Sequence, residues 1–145
     1  MRILIDGDGC PVVDITIRIA KGNGVECLIL CDTSHYYERD GATTITISKG
    51  ADAVDFALAN MINPGDVAVT QDYGLAAMCL ARNAIPINQN GMIFTDDNID
   101  DLLLQRYTVK KIRMSGKRIY GPRLHKRTAE QDIAFTKTLR GLLAR

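Results

Sequence analysis

Apolar residues occur along this chain in short blocks whose period changes from one block to the next. Ile3-Leu4-Ile5 is an unbroken apolar run, the pattern of a short strand covered on both faces, and a strand is predicted over Arg2–Ile5. The next block is ambiguous. Val13, Ile15, Ile17 and Ile19 alternate with polar residues at strand period, while Val12, Ile15, Ile19 and Val13, Ile17, Ala20 fit a helix. Pro11, suited to a first helical turn, and the stop signals Gly22 and Gly24 decide for helix. Val25–Leu30 and the β-branched Thr43–Ile47 are predicted as two further strands. Ala51–Ile62 is a helical window closed by Asn63-Pro64-Gly65.

Asp66–Thr70 and Ala84–Ile87 are predicted strands on either side of Tyr73–Arg82, a helix apolar nearly all round and therefore expected to be buried. Asn90-Gly91 marks a turn before Met92-Ile93-Phe94. A helix is expected from about Asp97, and Thr128–Ala144 reads as a C-terminal helix. Between these two lies an irregular basic stretch with Gly116, Gly121 and Pro122. Strands alternating with helices imply right-handed crossovers and a mainly parallel sheet covered on both faces, an α/β fold. In such sheets ligands bind beyond the carboxyl ends of the strands, where strand order reverses.

That rule gives meaning to the first polar residues of the chain, in IDGDGCP. Asp6 and Asp8 follow the first strand, and Asp72 follows the fourth, in AVTQDYG. Asp52 and Asp55 stand at i and i+3 of the helical window before the fourth strand, so they are expected on one helix face. If the first and fourth strands are neighbours, acids from three separated segments meet at one sheet edge. Two carboxylates ~4 Å apart repel by roughly 4 kcal/mol at an effective dielectric near 20. Either some of them hold protons or a cation sits among them. Oxygen ligands without His or Cys point to Mg²⁺ or Mn²⁺ rather than zinc, with substrate phosphate oxygens as further ligands. Two such ions can activate a water and steady the leaving oxygen of a phosphodiester. Each acid singly also has a plain structural use, since Asp8 and Asp72 suit helix caps and Asp52 and Asp55 suit a first helical turn.

Composition narrows the class. With 145 residues, 46% hydrophobic and 24% charged, the chain is expected to form one globular domain over 1–145. No apolar run approaches the roughly 20 residues of a membrane span, and the chain opens on a strand rather than a signal core, so a soluble cytoplasmic protein without membrane contact is expected. Cys10, Cys27, Cys31 and Cys79 form no CxxC pair and read as reduced thiols, with Cys27 and Cys31 on one side of a strand and Cys10 near the aspartates. Nothing in the pattern sets an oligomeric state.

Charge changes the picture more. Residues 1–101 carry a balance of −9 and residues 102–145 a balance of +10, and between Asp101 and Glu130 there are nine Lys or Arg and no acid. Separation on this scale points to an anionic partner. A basic tail lying on its own acidic body would produce the same asymmetry.

IDGDGCPV, GADAVDF, VAVTQDYGLA, FTDDNI and the late Gly121-Pro122 followed by Asp132 and Phe135 together resemble the YaiI/YqxD family of bacterial proteins, over essentially the whole chain. The resemblance implies a PIN-like fold, a three-layer α/β sandwich with a central parallel sheet, whose relatives are metal-dependent nucleases acting mostly on RNA. It implies Asp6 and Asp72 as catalytic acids and Asp6, Asp8, Asp52, Asp55 and Asp72 as metal ligands, with Thr70 and Cys10 beside them. FTDDN is similar to the late acidic motif of the superfamily and adds Asp97, although Asp96 and Asp97 read by themselves as caps. Many relatives have Asp-x-Asn where this chain has Asp6-Gly7-Asp8.

The expectation is therefore a Mg²⁺- or Mn²⁺-dependent nuclease acting on RNA. Lys117, Arg118, Arg123, Lys126 and Arg127 would hold the nucleic-acid backbone while a scissile phosphate reaches the acids. Two alternatives stay open. IDGDGCPV also resembles the motif of haloacid-dehalogenase-type phosphatases, with Asp6 as nucleophile and Asp8 as general acid. Thr33 or Ser34 and Lys49 would then complete the site, but Gly65-Asp66 precedes its strand and there is no cap domain. The other is a non-catalytic RNA-binding module, in which the basic stretch with Tyr107 and Tyr120 is the working part.

Overall fold

The structure, a computed structural model, describes residues 1–32, 38–48, 50, 52–114 and 126–144, with the side chains of 109 and 112–114 outside that description. Five strands form one parallel sheet: β1 (Arg2–Asp6), β2 (Glu26–Asp32), β3 (Thr43–Ile47), β4 (Val67–Val69) and β5 (Ile85–Ile87), in the order β3-β2-β1-β4-β5. The helices are α1 (Val13–Gly22), α2 (Ala53–Met61), α3 (Tyr73–Ala81), α4 (Asp96–Met114) and α5 (Ala129–Leu143). The chain runs outward from β1 to β3, then crosses back to the other side of β1 for β4 and β5. Strand order therefore reverses between β1 and β4, which meets the condition under which the separated acids come to one sheet edge.

Strand alternation builds the three layers. Ile3, Ile5, Cys27, Ile29, Val67 and Val69 face the layer of α1 and α5 and pack with Ile17, Ala20, Phe135 and Leu139. Leu4, Leu28, Leu30 and Ala68 face the opposite layer and pack with Leu58 of α2 and Leu75 and Cys79 of α3. The apolar circumference of α3 follows from its place. One side meets the sheet and α2, and the other meets α4 through Ala76, Phe94 and Ile99. The rings of Tyr73 and Phe94 meet edge to face with centroids 5.7 Å apart.

Each predicted element is present, and the differences lie at boundaries. The ambiguous second block is helical, and β2 runs two residues beyond Leu30 to Asp32. The helix expected from Asp97 starts at Asp96 and continues to Met114, which makes Arg106, Lys110, Lys111 and Arg113 helical. Residues 115–125, the remainder of the basic stretch, lie outside the described residues. Thr95 and Asn98 exchange hydrogen bonds at the start of α4, so Thr95 rather than Asp96 or Asp97 closes that end.

The four cysteines are free thiols. Burial pushes the Cys27 and Cys79 thiols up to about 12, as expected of thiols used as apolar residues. Among the described residues no helix is long and apolar enough to cross a membrane.

Candidate active site

Asp6 is the last residue of β1, and the register that pairs Ile5 with Val69 of β4 brings it beside Thr70. The Thr70 hydroxyl donates to Asp6 Oδ2 at 2.9 Å and accepts the Asp72 amide at 3.0 Å. One threonine thus ties the two strand-end acids together. Gly7 then continues along β2, its amide donating to Leu30 O at 2.8 Å. A Cβ at this position would lie 3.0 Å from both Leu30 O and the Ile29 methyl, so the close approach favours glycine. The loop beyond it is tied across the sheet edge by Gln71, whose Nε2 donates to Gly9 O at 2.9 Å.

Asp72 is the N-cap of α3, with Oδ1 accepting the amides of Gly74 at 2.8 Å and Leu75 at 3.2 Å. Asp55 stands in the first turn of α2. Asp52 does not share a helix face with it as the i, i+3 spacing predicts, because α2 begins only at Ala53. Asp52 is the N-cap residue in the left-handed region, φ 60°, and makes no side-chain cap. Both still line the same cleft, of about 570 Å³, with Asp6, Asp8 and Asp72. Six acids meet there in all, because Asp32 at the end of β2 joins them.

Two of these acids hold their protons more tightly than an ordinary aspartate. Burial, together with the charges of Asp8 and Asp72 and against the Thr70 hydrogen bond, pushes the Asp6 carboxyl up from 3.8 to about 6. Asp55 rises further, to about 7, through burial, the charges of Asp72 and Asp6, a hydrogen bond with Asp72 and the charge of Asp52. Near neutral pH, Asp55 therefore holds a proton part of the time. Cys10, next to this edge, is raised to about 11 by burial and by Asp6, which leaves it a neutral thiol.

Other predicted residues are placed elsewhere. Asp97 sits in the first turn of α4 and does not line the cleft, because Thr95 closes that helix at the far end from Asp72. Arg127 is occupied by the body of the protein: it pairs with Asp132 at 2.6 Å, donates to Asn90 Oδ1 at 2.9 Å and also bonds Gln89 O. Lys126 is exposed, while Lys117, Arg118 and Arg123 lie outside the described residues. So do Thr33, Ser34 and Lys49 of the phosphatase reading. Asp66 cannot complete that reading: only 3% exposed, it binds Arg2 at 3.1 Å at the opposite end of β4.

Three cleft residues escaped the sequence. Asp32 obeys the same strand-end rule as Asp6, and only the length assigned to the second strand concealed it. Gln71 and Arg106 carry no local signal. Arg106 reaches the cleft because α4 packs on α3, which sets its Nη1 3.4 Å from Asp72 Oδ1.

The donor set fits a hard divalent cation, since it consists of carboxylates without imidazole or thiolate. Among the described residues no three acidic, His or Cys side chains are gathered so as to hold an ion by themselves. A cation here would need water or substrate oxygens among its ligands, as Mg²⁺ commonly does.

Comparison with known proteins agrees along the whole chain. The model of the family described as "Uncharacterized BCR, YaiI/YqxD family" matches residues 4–145. A UPF0178 protein of Exiguobacterium sibiricum is 53% identical over 143 residues, covering 99% of this chain and 96% of that protein. One from Ruminiclostridium cellulolyticum is 47% identical, covering 96% and 90%. Among solved structures, Rae1 (YacP) from Bacillus subtilis aligns over 99% of this chain and 98% of its own at 14% identity, with a TM-score of 0.44, too distant to bear on activity. The family match and the relatives place this chain in the YaiI/YqxD family.

Proposed function

We propose that this protein hydrolyses phosphodiester bonds of RNA with the help of Mg²⁺ or Mn²⁺ held at Asp6, Asp55 and Asp72, with Asp8 and Asp52 at its border. One observation carries the reading. Acids from β1, the start of α2 and the end of β4 converge where strand order reverses, and burial together with the neighbouring carboxylates raises the proton affinity of Asp6 and Asp55 there. A fold that needed these acids only as caps would have no reason to bring them together against that repulsion.

The residues divide the work by their surroundings. Thr70 orients Asp6 and fixes the Asp72 backbone. The two amides of α3 hold one oxygen of Asp72, so its carboxylate is fixed in direction before any ligand arrives. Asp55, raised to about 7, gives up its proton more readily when positive charge enters. A divalent ion bound there supplies a Lewis acid at the phosphate and an activated water. The basic C-terminal part, balance +10, offers the polyanion its attraction.

Cleavage of end-labelled single-stranded and duplex RNA in Mn²⁺ tests this. Asp6→Asn and Asp72→Asn are expected to lose on the order of 10²-fold or more in rate while binding RNA as the wild type does. A wild-type protein that binds RNA without cutting it would favour the non-catalytic module instead.

A further inference from the structure

Arg106 is the one cationic side chain among the described residues that line the cleft, and stability does not account for it. Its side chain is 60% exposed and its contact with Asp72 is long at 3.4 Å, the kind of ion pair that contributes little to folding. Nor does Asp72 need it, because the same Oδ1 is already satisfied by the Gly74 and Leu75 amides. The position is nevertheless built. Ile99, Leu102 and Leu103 seat α4 on α3, and Arg106 continues that stripe by one turn to the mouth of the cleft. Lys110 follows four residues later and is exposed, as is Tyr107 beside it.

We propose that Arg106 is the phosphate-binding residue of this cleft, exchanging its long contact with Asp72 for the substrate phosphate, with the backbone of a single-stranded substrate continuing along α4 over Lys110. The proposal rests on the phosphodiesterase reading above. A guanidinium fork binds phosphate through two parallel hydrogen bonds, a better arrangement than its present single contact. The exchange also leaves Asp72 with its two backbone donors and one less competing cation. Tyr107 offers a face on which a neighbouring base can stack.

The test is initial-rate kinetics on a single-stranded RNA in Mn²⁺ across about 50 to 200 mM salt, with Mn²⁺ affinity measured by calorimetry. Arg106→Gln is expected to lower kcat/KM on the order of 10²-fold and to reduce the log–log salt slope by about 0.7, one single-strand phosphate contact. Its Mn²⁺ affinity is expected to be unchanged or tighter. Arg106→Lys restores the slope but not the full rate, because the ammonium lacks the fork. Lys137→Gln, an equal charge change on α5 across the sheet, serves as control and leaves the slope as it is. If the wild type cleaves and Arg106→Gln matches it, or matches Lys137→Gln, Arg106 does not bind the phosphate and the cleavage reading stands. A wild type without Mn²⁺-dependent cleavage overturns both.

Discussion

Asp72 serves the fold and the cleft with the same carboxylate, and substitutions separate the two uses. Asparagine caps helices as well as aspartate does, so Asp72→Asn keeps the two amide hydrogen bonds of α3 and is expected to unfold near the wild-type urea midpoint. Asp72→Ala loses the cap and about 1 kcal/mol. Asp55 supplies the pH dependence. Its folded-state carboxyl holds a proton up to about 7 and that of Asp6 up to about 6, against 3.8 for an ordinary aspartate. The folded chain therefore binds more protons than the unfolded chain between about pH 4 and 7, and stability falls as pH rises through that window. Asp55→Asn removes part of that fall. Without divalent cations it is expected to melt above the wild type at pH 8, with the difference vanishing near pH 4. Equal melting curves at pH 8 would show that the acids do not strain the fold. At this scale the sequence disclosed Asp6 and Asp72, because an acid that ends an apolar strand is visible locally. It did not disclose the left-handed backbone of Asp52, which depends on how the chain enters α2, nor Arg106, whose placement depends on packing between helices.

The helices show what decides an element and what anchors it. Strand period and helix period were both present in the second block, and Pro11 with Gly22 and Gly24 settled it because they act on the backbone directly. The extent of α4 was not legible: beyond Leu103 its described side chains are exposed, with no buried stripe to mark its length. The anchoring of α5 was not legible either. Gly91 adopts φ +84°, and a Cβ there would lie 2.6 Å from Ala134 O of α5, while Thr138 donates to Gly91 O at 2.8 Å. Gly91→Ala is expected to cost more than 1 kcal/mol in chemical denaturation through strain and displacement of α5. Arg127, assigned from its charge to nucleic acid, latches the start of the same helix to Gln89, Asn90 and Asp132. Arg127→Gln is expected to lower stability by about 1–3 kcal/mol, with RNA affinity little changed. The reverse outcome would return Arg127 to the nucleic-acid surface.

For the whole molecule, topology converts sequence distance into proximity. Asp6 and Asp72 are far apart in the chain, yet strand order 3-2-1-4-5 makes them neighbours at the one edge where crossovers diverge. Six of the fifteen acids of residues 1–101 line that edge, while base is concentrated in sequence after residue 101. Alternation of strands and helices foresaw most of this parallel sheet, but not the parallel pairing of β3, which follows β2 with no named helix between them. The central claim is that the acids stand together in order to share a divalent cation, and calorimetric titration of Mn²⁺ tests it most directly. At pH 6.5 in buffers of different ionisation enthalpy, the wild type is expected to bind Mn²⁺ and release a proton from Asp55, raised to about 7, with less release at pH 8.5. Asp6→Asn is expected to bind far more weakly. Retained Mn²⁺ affinity in Asp6→Asn, or no binding by the wild type, would contradict the account.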